Sequence, residues 1–202
     1  MSGIAILDYG MGNLRSVHRA IERVGGRAEV TSDPETSSRA DAIVVPGVGA
    51  FGACMRGLQE RQLDRVVVEF ARTERPVLGV CLGLQVLFEG SEEDPDAGVA
   101  LLPGKIRRLE GEGIKIPHMG WNEVRWVADH PLVRGIPDRT RFYFVHSYAA
   151  EPAPGTTVGE TEHGAVFASV VASGSIFATQ FHPEKSGDPG LAIYENFVGS
   201  FR

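Results

Sequence analysis

Cysteine is scarce in this chain: Cys54 and Cys81 are the two thiols among 202 residues. Two thiols cannot build a disulfide framework, and they suit a compartment that keeps sulfur reduced. Long apolar runs are missing as well, since none approaches the ~20 residues of a membrane-spanning helix. The opening residues, MSGIAILDYG, do not read as a signal peptide, because their apolar run is short and ends at Asp8. Excess positive charge is also lacking. The formal net charge is −6 with acids and bases intermixed, which argues against a surface dedicated to nucleic acid. No linker, repeat or low-complexity segment divides the sequence. The expectation is a single soluble, cytoplasmic domain over residues 1–202, with neither a membrane nor a nucleic-acid partner.

What is present in the first half is an alternation. GIAILD, AEVTS, DAIVVPG and RPVLGV read as short buried strands. Leu14, Val17, Ile21 and Val24 recur at helical spacing and are closed by Gly25 and Gly26. Met55, Leu58, Gln62, Val66 and Phe70 mark one face of a single long helix, and LGLQVLFEG continues as a helix after the fourth strand. Such alternation implies a parallel sheet covered on both faces. The second half changes character. GKIRRL, NEVRWV, RFYFVHSY, TVGETEHG, AVFASVV and SIFATQF read as strands, with a hairpin turn over 172–175. Leu191, Tyr194, Phe197, Val198 and Phe201 predict a last helix. The fold class is α/β: a mostly parallel central sheet that gains antiparallel strands in its second half.

Cys81 sits between Gly79 and Gly83, where a strand gives way to a helix. Active sites of open α/β sheets gather at the carboxyl ends of strands. Gly-Val-Cys-Leu-Gly is the cysteine version of the G-x-S-x-G turn, in which small neighbours let the chain bend sharply and present the nucleophile. The amino end of the following helix favours a thiolate and offers the Leu82 amide to an oxyanion. A cysteine that merely packs is the competing reading, and the pentapeptide alone leaves both open. Cys54 lacks paired glycines and reads as a small filler at a helix start.

A cysteine nucleophile needs a base, and the base an orienting group. Of six histidines, His18, His130 and His163 read as surface residues. His118 in IPHMGWN and His146 in FVHSY stay in contention. His182 in Gln-Phe-His-Pro-Glu has the strongest local chemistry. Pro183 biases His182 toward extended backbone, where residues two apart share a side, so Glu184 can lie against the imidazole. A turn with a solvated carboxylate is the bland alternative. The presence of G-x-C-x-G in the same chain favours the triad, with His146 as second candidate base.

GVCLGLQ together with QFHPE resembles the signature pair of the class I, triad-type glutamine amidotransferases. DYGMGNLRSV, PGVGAFG, IPHMGWN, FYFVHSY and HPEKSG follow in order along the chain. They resemble one branch of that family, glutaminase subunits serving histidine biosynthesis. The resemblance implies a flavodoxin-like fold and hydrolysis of glutamine to glutamate and ammonia. It implies Cys81 as nucleophile, His182 as acid/base and Glu184 as its orienter. Oxyanion amides would come from Leu82 and from the loop at Gly47 and Val48. Gln85, with backbone groups of Ser147 and Tyr148, would hold the amino-acid end of glutamine. No metal or other cofactor enters this reading.

The family also implies a partner. Ammonia would pass to a (β/α)₈-barrel cyclase, a fold of ~250 residues, joined to this chain as a heterodimer. That cyclase makes imidazole glycerol phosphate and an aminoimidazole carboxamide ribonucleotide. Asn13, Met119, Trp121 and Lys185 are the interface candidates, with Trp121 as anchor or, alternatively, as a core residue at a strand start. Three other readings compete: a glutaminase feeding a different synthase, a stand-alone cysteine hydrolase of the same fold, and a binding module with GMGN and PGVGAFG as anion cradles. Neither loop matches G-x-G-x-x-G or a P-loop.

Overall fold

In the computed structural model, which describes residues 3–151 and 153–201, the first half of the chain builds a parallel half-sheet. Strands β1 (Ile4–Leu7), β2 (Ala28–Thr31), β3 (Ala42–Gly47) and β4 (Val77–Cys81) lie in the order β2-β1-β3-β4, all parallel. Helices α1 (Leu14–Arg23), α2 (Pro34–Ser38), α3 (Phe51–Glu60) and α4 (Leu63–Arg72) connect them. Alternation along the strands divides the core. Ile4, Ile6, Val44 and Val80 join Val17 and Ile21 of α1 on one face. Ala5, Leu7, Val45 and Val77 join Met55 and Leu58 of α3 and Val66 and Phe70 of α4 on the other.

After β4 come the single-turn helix α5 (Leu82–Gln85) and strands β5 (Gly90–Ser91), β6 (Asp94–Ala97), β7 (Lys105–Arg108), β8 (His118–Trp126), β9 (Thr140–His146) and β10 (Tyr148–Ala150). They are followed by β11 (Thr157–His163), β12 (Ala165–Ser173), β13 (Ile176–Thr179) and the last helix, α6 (Gly187–Gly199). β13 is the junction between the halves. It runs parallel to β4 with Thr179 beside Val80, and antiparallel to β12 through the tight turn at Gly174-Ser175. Beyond β12 the sheet continues through β10, β7, β5 and β6, and β11 carries the β8–β9 ribbon. Among the described residues, no helix is long and apolar enough to cross a membrane.

Four local readings differ from the sequence expectation. The single long helix is two. Gln62 adopts a left-handed conformation (φ 57°) and ends α3, so it links rather than faces the core. The apolar spacing survives the break because both short helices bury their faces on the same side of the sheet, which is why periodicity alone missed it. The helix after Cys81 stops after one turn. The carbonyls of Val86, Leu87 and Phe88 accept from the N–H groups of residues 99–102 instead of continuing the helical ladder. Residues 90–97 therefore form a small hairpin, and α2, capped by Asp33, is too short to leave a periodic signal. Finally, β8 begins at His118, which puts IPHMGWN largely on a strand, and RFYFVHSY is split at Ser147.

The helix break can be tested by Gln62→Gly. Glycine inside a continuous helix costs about 1 kcal/mol, whereas at a left-handed link it relieves strain. Urea unfolding should show no loss of stability; a loss near the helix-interior value would mean that the helix is continuous.

Candidate active site

Cys81 ends β4 in a strained conformation, with φ 55° and ψ −108°. The glycines around it are demanded by packing. A Cβ on residue 83 would lie 1.7 Å from the Val45 carbonyl oxygen, and one on residue 79 would lie 2.6 Å from the carbonyl oxygen of Gly83. Gly47, opposite Cys81 in the β3–β4 register, meets the same crowding: its Cβ would fall 2.7 Å from the Gly83 nitrogen. The turn at Cys81 thus rests directly on β3.

His182 reaches Cys81 because β13 lies beside β4 and leaves the sheet at the same carboxyl edge. Its backbone N–H donates to Tyr143 O (2.9 Å), the Ser186 hydroxyl donates to its carbonyl (2.7 Å), and Phe181 stacks on Phe142 at 4.0 Å. The next residues form a 3₁₀ turn, Pro183–Lys185, rather than continuing extended. Glu184 nevertheless lies against the imidazole, with Oε1 2.9 Å from His182 Nδ1 and both side chains almost wholly buried. Asn13 Nδ2 donates to the same carboxylate oxygen at 3.4 Å, so this interface candidate touches the site itself. Among the described residues, the second ring nitrogen, Nε2, is buried without a hydrogen-bond partner, and the group that acts on it is the Cys81 sulfur. Burial opposes the imidazolium, but hydrogen bonding and charge from Cys81 and Glu184 outweigh it and raise the His182 pKa to about 10.

Cys81 opens into a cavity of about 280 Å³. Leu82, Val48, Gly49, Gln85, Ser147, Tyr148 and His182 line it, as does Glu93. Gly47 does not; it packs beneath Leu82 and Gly83, while Tyr9 donates its hydroxyl to the Pro46 carbonyl and anchors the loop. Gln85 Nε2 donates to Tyr148 O (2.8 Å) and Gln180 Oε1 (3.1 Å). Tyr148 stands opposite Arg108, while the flanking Leu109 N–H bonds to Ser147 O. That alternation turns the Tyr148 backbone groups away from β7 and toward the cavity. Glu93 was not among the sequence candidates. Its Oε2 accepts from the Phe51 N–H at the start of α3 (2.9 Å), and the hairpin of residues 90–97 delivers it there.

His146, the second candidate base, lines the cavity but is fully engaged. Its Nδ1 lies 2.8 Å from Tyr148 O, a carbonyl, so Nδ1 carries the proton and Nε2 accepts. The donor to Nε2 is His118 Nδ1 at 3.0 Å, and His118 Nε2 in turn accepts from Asn122 Nδ2 at 3.2 Å. Burial lowers the His118 pKa to about 4 and that of His146 to about 3, keeping both neutral. The three histidines expected at the surface are half-buried. His163 stacks on His118 at 4.2 Å, His18 lies 3.0 Å from Ala28 O, and His130 accepts from the Leu132 N–H. Cys54 is the expected filler: burial pushes its thiol up to about 12, and it lies against Met11 and Val48. Met119 and Trp121 are 62% and 55% exposed on the outer face of β8, opposite Val145 and Tyr143 of β9. Trp121 is therefore not a core residue. Lys185 lies 5.7 Å from the Tyr143 ring on the same side.

The family comparison assigns the chain to a class of enzyme. The model of glutamine amidotransferase class-I matches residues 5–200, and the chain belongs to that family. Imidazole glycerol phosphate synthase subunit HisH of Nitrosomonas europaea is 50% identical over 209 residues, covering 98% of each chain. The HisH subunit of Moorella thermoacetica is 50% identical over 199 residues, 98% of this chain and 94% of its own. The sequence is of the HisH type within the family. Two solved structures share the fold: PurLQS from Thermotoga maritima (TM-score 0.78, 16% identity, 100% of this chain and 99% of that one) and the glutaminase domain of Trypanosoma brucei CTPS (0.72, 18%, 99% and 93%).

The neutral histidine pair gives a pH prediction. Histidines of the unfolded chain titrate near 6.5, while the folded pair stays neutral until about 4 and about 3. In this window the unfolded state binds more protons, so stability falls as pH drops below about 6.5. Urea midpoints should decline from neutral pH toward about 5, and decline less in His146→Gln. Equal slopes would remove the pair as a source of acid sensitivity.

Proposed function

We propose that Cys81, His182 and Glu184 hydrolyse the side-chain amide of glutamine, within one glutaminase domain spanning the chain. The observation that carries this reading is the buried Glu184–His182 pair at 2.9 Å, set beside a cysteine on a strained turn. The Cys81 thiolate adds to the carboxamide carbon. The oxyanion is met by the Leu82 amide and by the loop at Val48, which lines the cavity where Gly47 does not; losing one donor typically costs about 10²–10³ in rate. His182 gives its proton to the leaving nitrogen, the C–N bond breaks, and ammonia departs from a thioester. Water then loses a proton to His182, attacks the thioester, and frees glutamate and the thiol. Glu184 holds the ring tautomer and stabilises its cation throughout.

The amino-acid end of glutamine carries an ammonium and a carboxylate. Glu93 and the carbonyl end of Gln85 suit the ammonium, because both Gln85 donors are already committed. The Tyr148 backbone N–H suits the carboxylate, and Ser147 lines the same end of the cavity.

The HisH relatives are named as subunits of imidazole glycerol phosphate synthase, and the finer reading follows from that. The chain works in the cytoplasm as one half of a heterodimer. It passes ammonia to a (β/α)₈-barrel cyclase that makes imidazole glycerol phosphate and an aminoimidazole carboxamide ribonucleotide in histidine biosynthesis. The exposed Met119 and Trp121 support docking close to the site, since Pro117, just before their ribbon, and Val145 within it line the cavity. Asn13 and Lys185 complete the docking side.

Glutamate release, measured with and without the cognate cyclase and its nucleotide, tests both halves. Cys81→Ala should be inactive, His182→Ala should fall by at least about 10²-fold, and His146→Gln should fall far less. Release surviving Cys81→Ala would sink the mechanism, and full activity indifferent to the cyclase would sink the partner.

A further inference from the structure

Gln180 lies against the nucleophile, and no step above uses it. It is fully buried, and a buried amide must find partners for both ends. Its Oε1 accepts from Gln85 Nε2 at 3.1 Å, and its Nε2 lies 3.8 Å from Cys81 Sγ. The direction of this chain is fixed by a backbone group. Gln85 Nε2 also bonds to the Tyr148 carbonyl, which can only accept, so that atom is the donor end of Gln85. Gln180 must then turn its oxygen toward Gln85 and its N–H groups toward sulfur. The Gln180 backbone N–H donates to Ser169 O (2.9 Å) and ties the residue to β12. A further polar neighbour of the sulfur, besides His182, is Val145 O at 3.9 Å, an acceptor that suits a thiol and repels a thiolate.

We propose that Gln180 is a further catalytic residue, the side-chain amide that donates a hydrogen bond to the Cys81 thiolate and aims it into the cavity. The inference rests on Cys81 being the nucleophile. Together with His182⁺, the amide gives the sulfur anion a second donor, offsetting the Val145 carbonyl. Gln85 joins this donor to the substrate end of the cavity, so one amide chain touches both the attacking atom and the residue that faces the substrate.

Two nearly isosteric replacements separate this role from a scaffolding one. Gln180→Met removes both hydrogen-bonding ends. Gln180→Glu keeps an acceptor for Gln85 but, ionised, offers nothing to the sulfur. Glutamine turnover would be measured with the partner subunit present, and Cys81 alkylation by iodoacetamide on the chain itself at neutral pH, with mass-spectrometric site assignment; the sealed Cys54 is the internal control. Losing a hydrogen bond to a charged group is expected to lower kcat about 10- to 100-fold in both variants, with little change in KM, and to slow alkylation in parallel. Gln180→Glu should be no better than Gln180→Met.

Near-normal kcat and alkylation in Gln180→Glu, at a pH where its infrared carboxylate band shows it ionised, beside a crippled Gln180→Met would reduce Gln180 to a prop for Gln85 and overturn the proposal. Unchanged alkylation in both would do the same. Circular-dichroism melting checks each fold, and if the buried glutamate does not fold, the alkylation rate of Gln180→Met decides. An inactive Cys81→Ala beside normal Gln180 variants would fell this inference alone; an active Cys81→Ala would fell the mechanism beneath it.

Discussion

The carbonyl oxygen of Val45 occupies the space where residue 83 would carry a side chain. That contact sets the height of the turn after β4 above β3. It holds Cys81 at positive φ and brings the first amide of α5 over the cavity. Gly79 and Gly47 extend the same demand to both sides of the turn. Cys81 is thus fixed by backbone packed on backbone, a contact with little freedom to relax.

The second half of the chain brings its chemistry to that turn through one strand. β13 is parallel to β4 and antiparallel to β12, and belongs to both halves of the sheet. Placing Thr179 beside Val80 makes the two chains exit together, and the stacked Phe142 and Phe181 rings fix where His182 goes next. In that buried setting, the imidazole meets an acid on one nitrogen and sulfur on the other. The raised pKa of His182 follows from that placement. The neighbouring histidines, at similar depth but without a carboxylate, are driven the opposite way.

Much of this was legible in the sequence where function depends on neighbours in the chain. Gly79, Cys81 and Gly83 encode their own turn, and His182 with Glu184 encode a pair two residues apart, even though the backbone between them is a 3₁₀ turn. The parallel order of the first half follows from its alternation. Glu93 was not legible, because its position depends on a hairpin that forms only when the chain after α5 bonds to residues 99–102. Gln62 was misread because a broken helix and a whole one leave the same apolar spacing. Gln180 stood in plain view beside His182, but the role of a buried amide is visible only once both of its ends have partners. His118 and His146 looked purposeful in their motifs, and their cross-strand pairing explains why: each fixes the tautomer of the next.

The β8–β9 ribbon has a consequence at the scale of the cell. Its inner face is filled by Phe142, Phe144 and the two histidines, while its outer face leaves Met119 and Trp121 in water. Apolar side chains clustered in this way are tolerated when another surface covers them and promote self-association when none does. Under the docking proposed above, a cell making more of this chain than of its counterpart would accumulate molecules with a bare adhesive face. Matched synthesis of the two chains is then a condition of solubility as well as of flux.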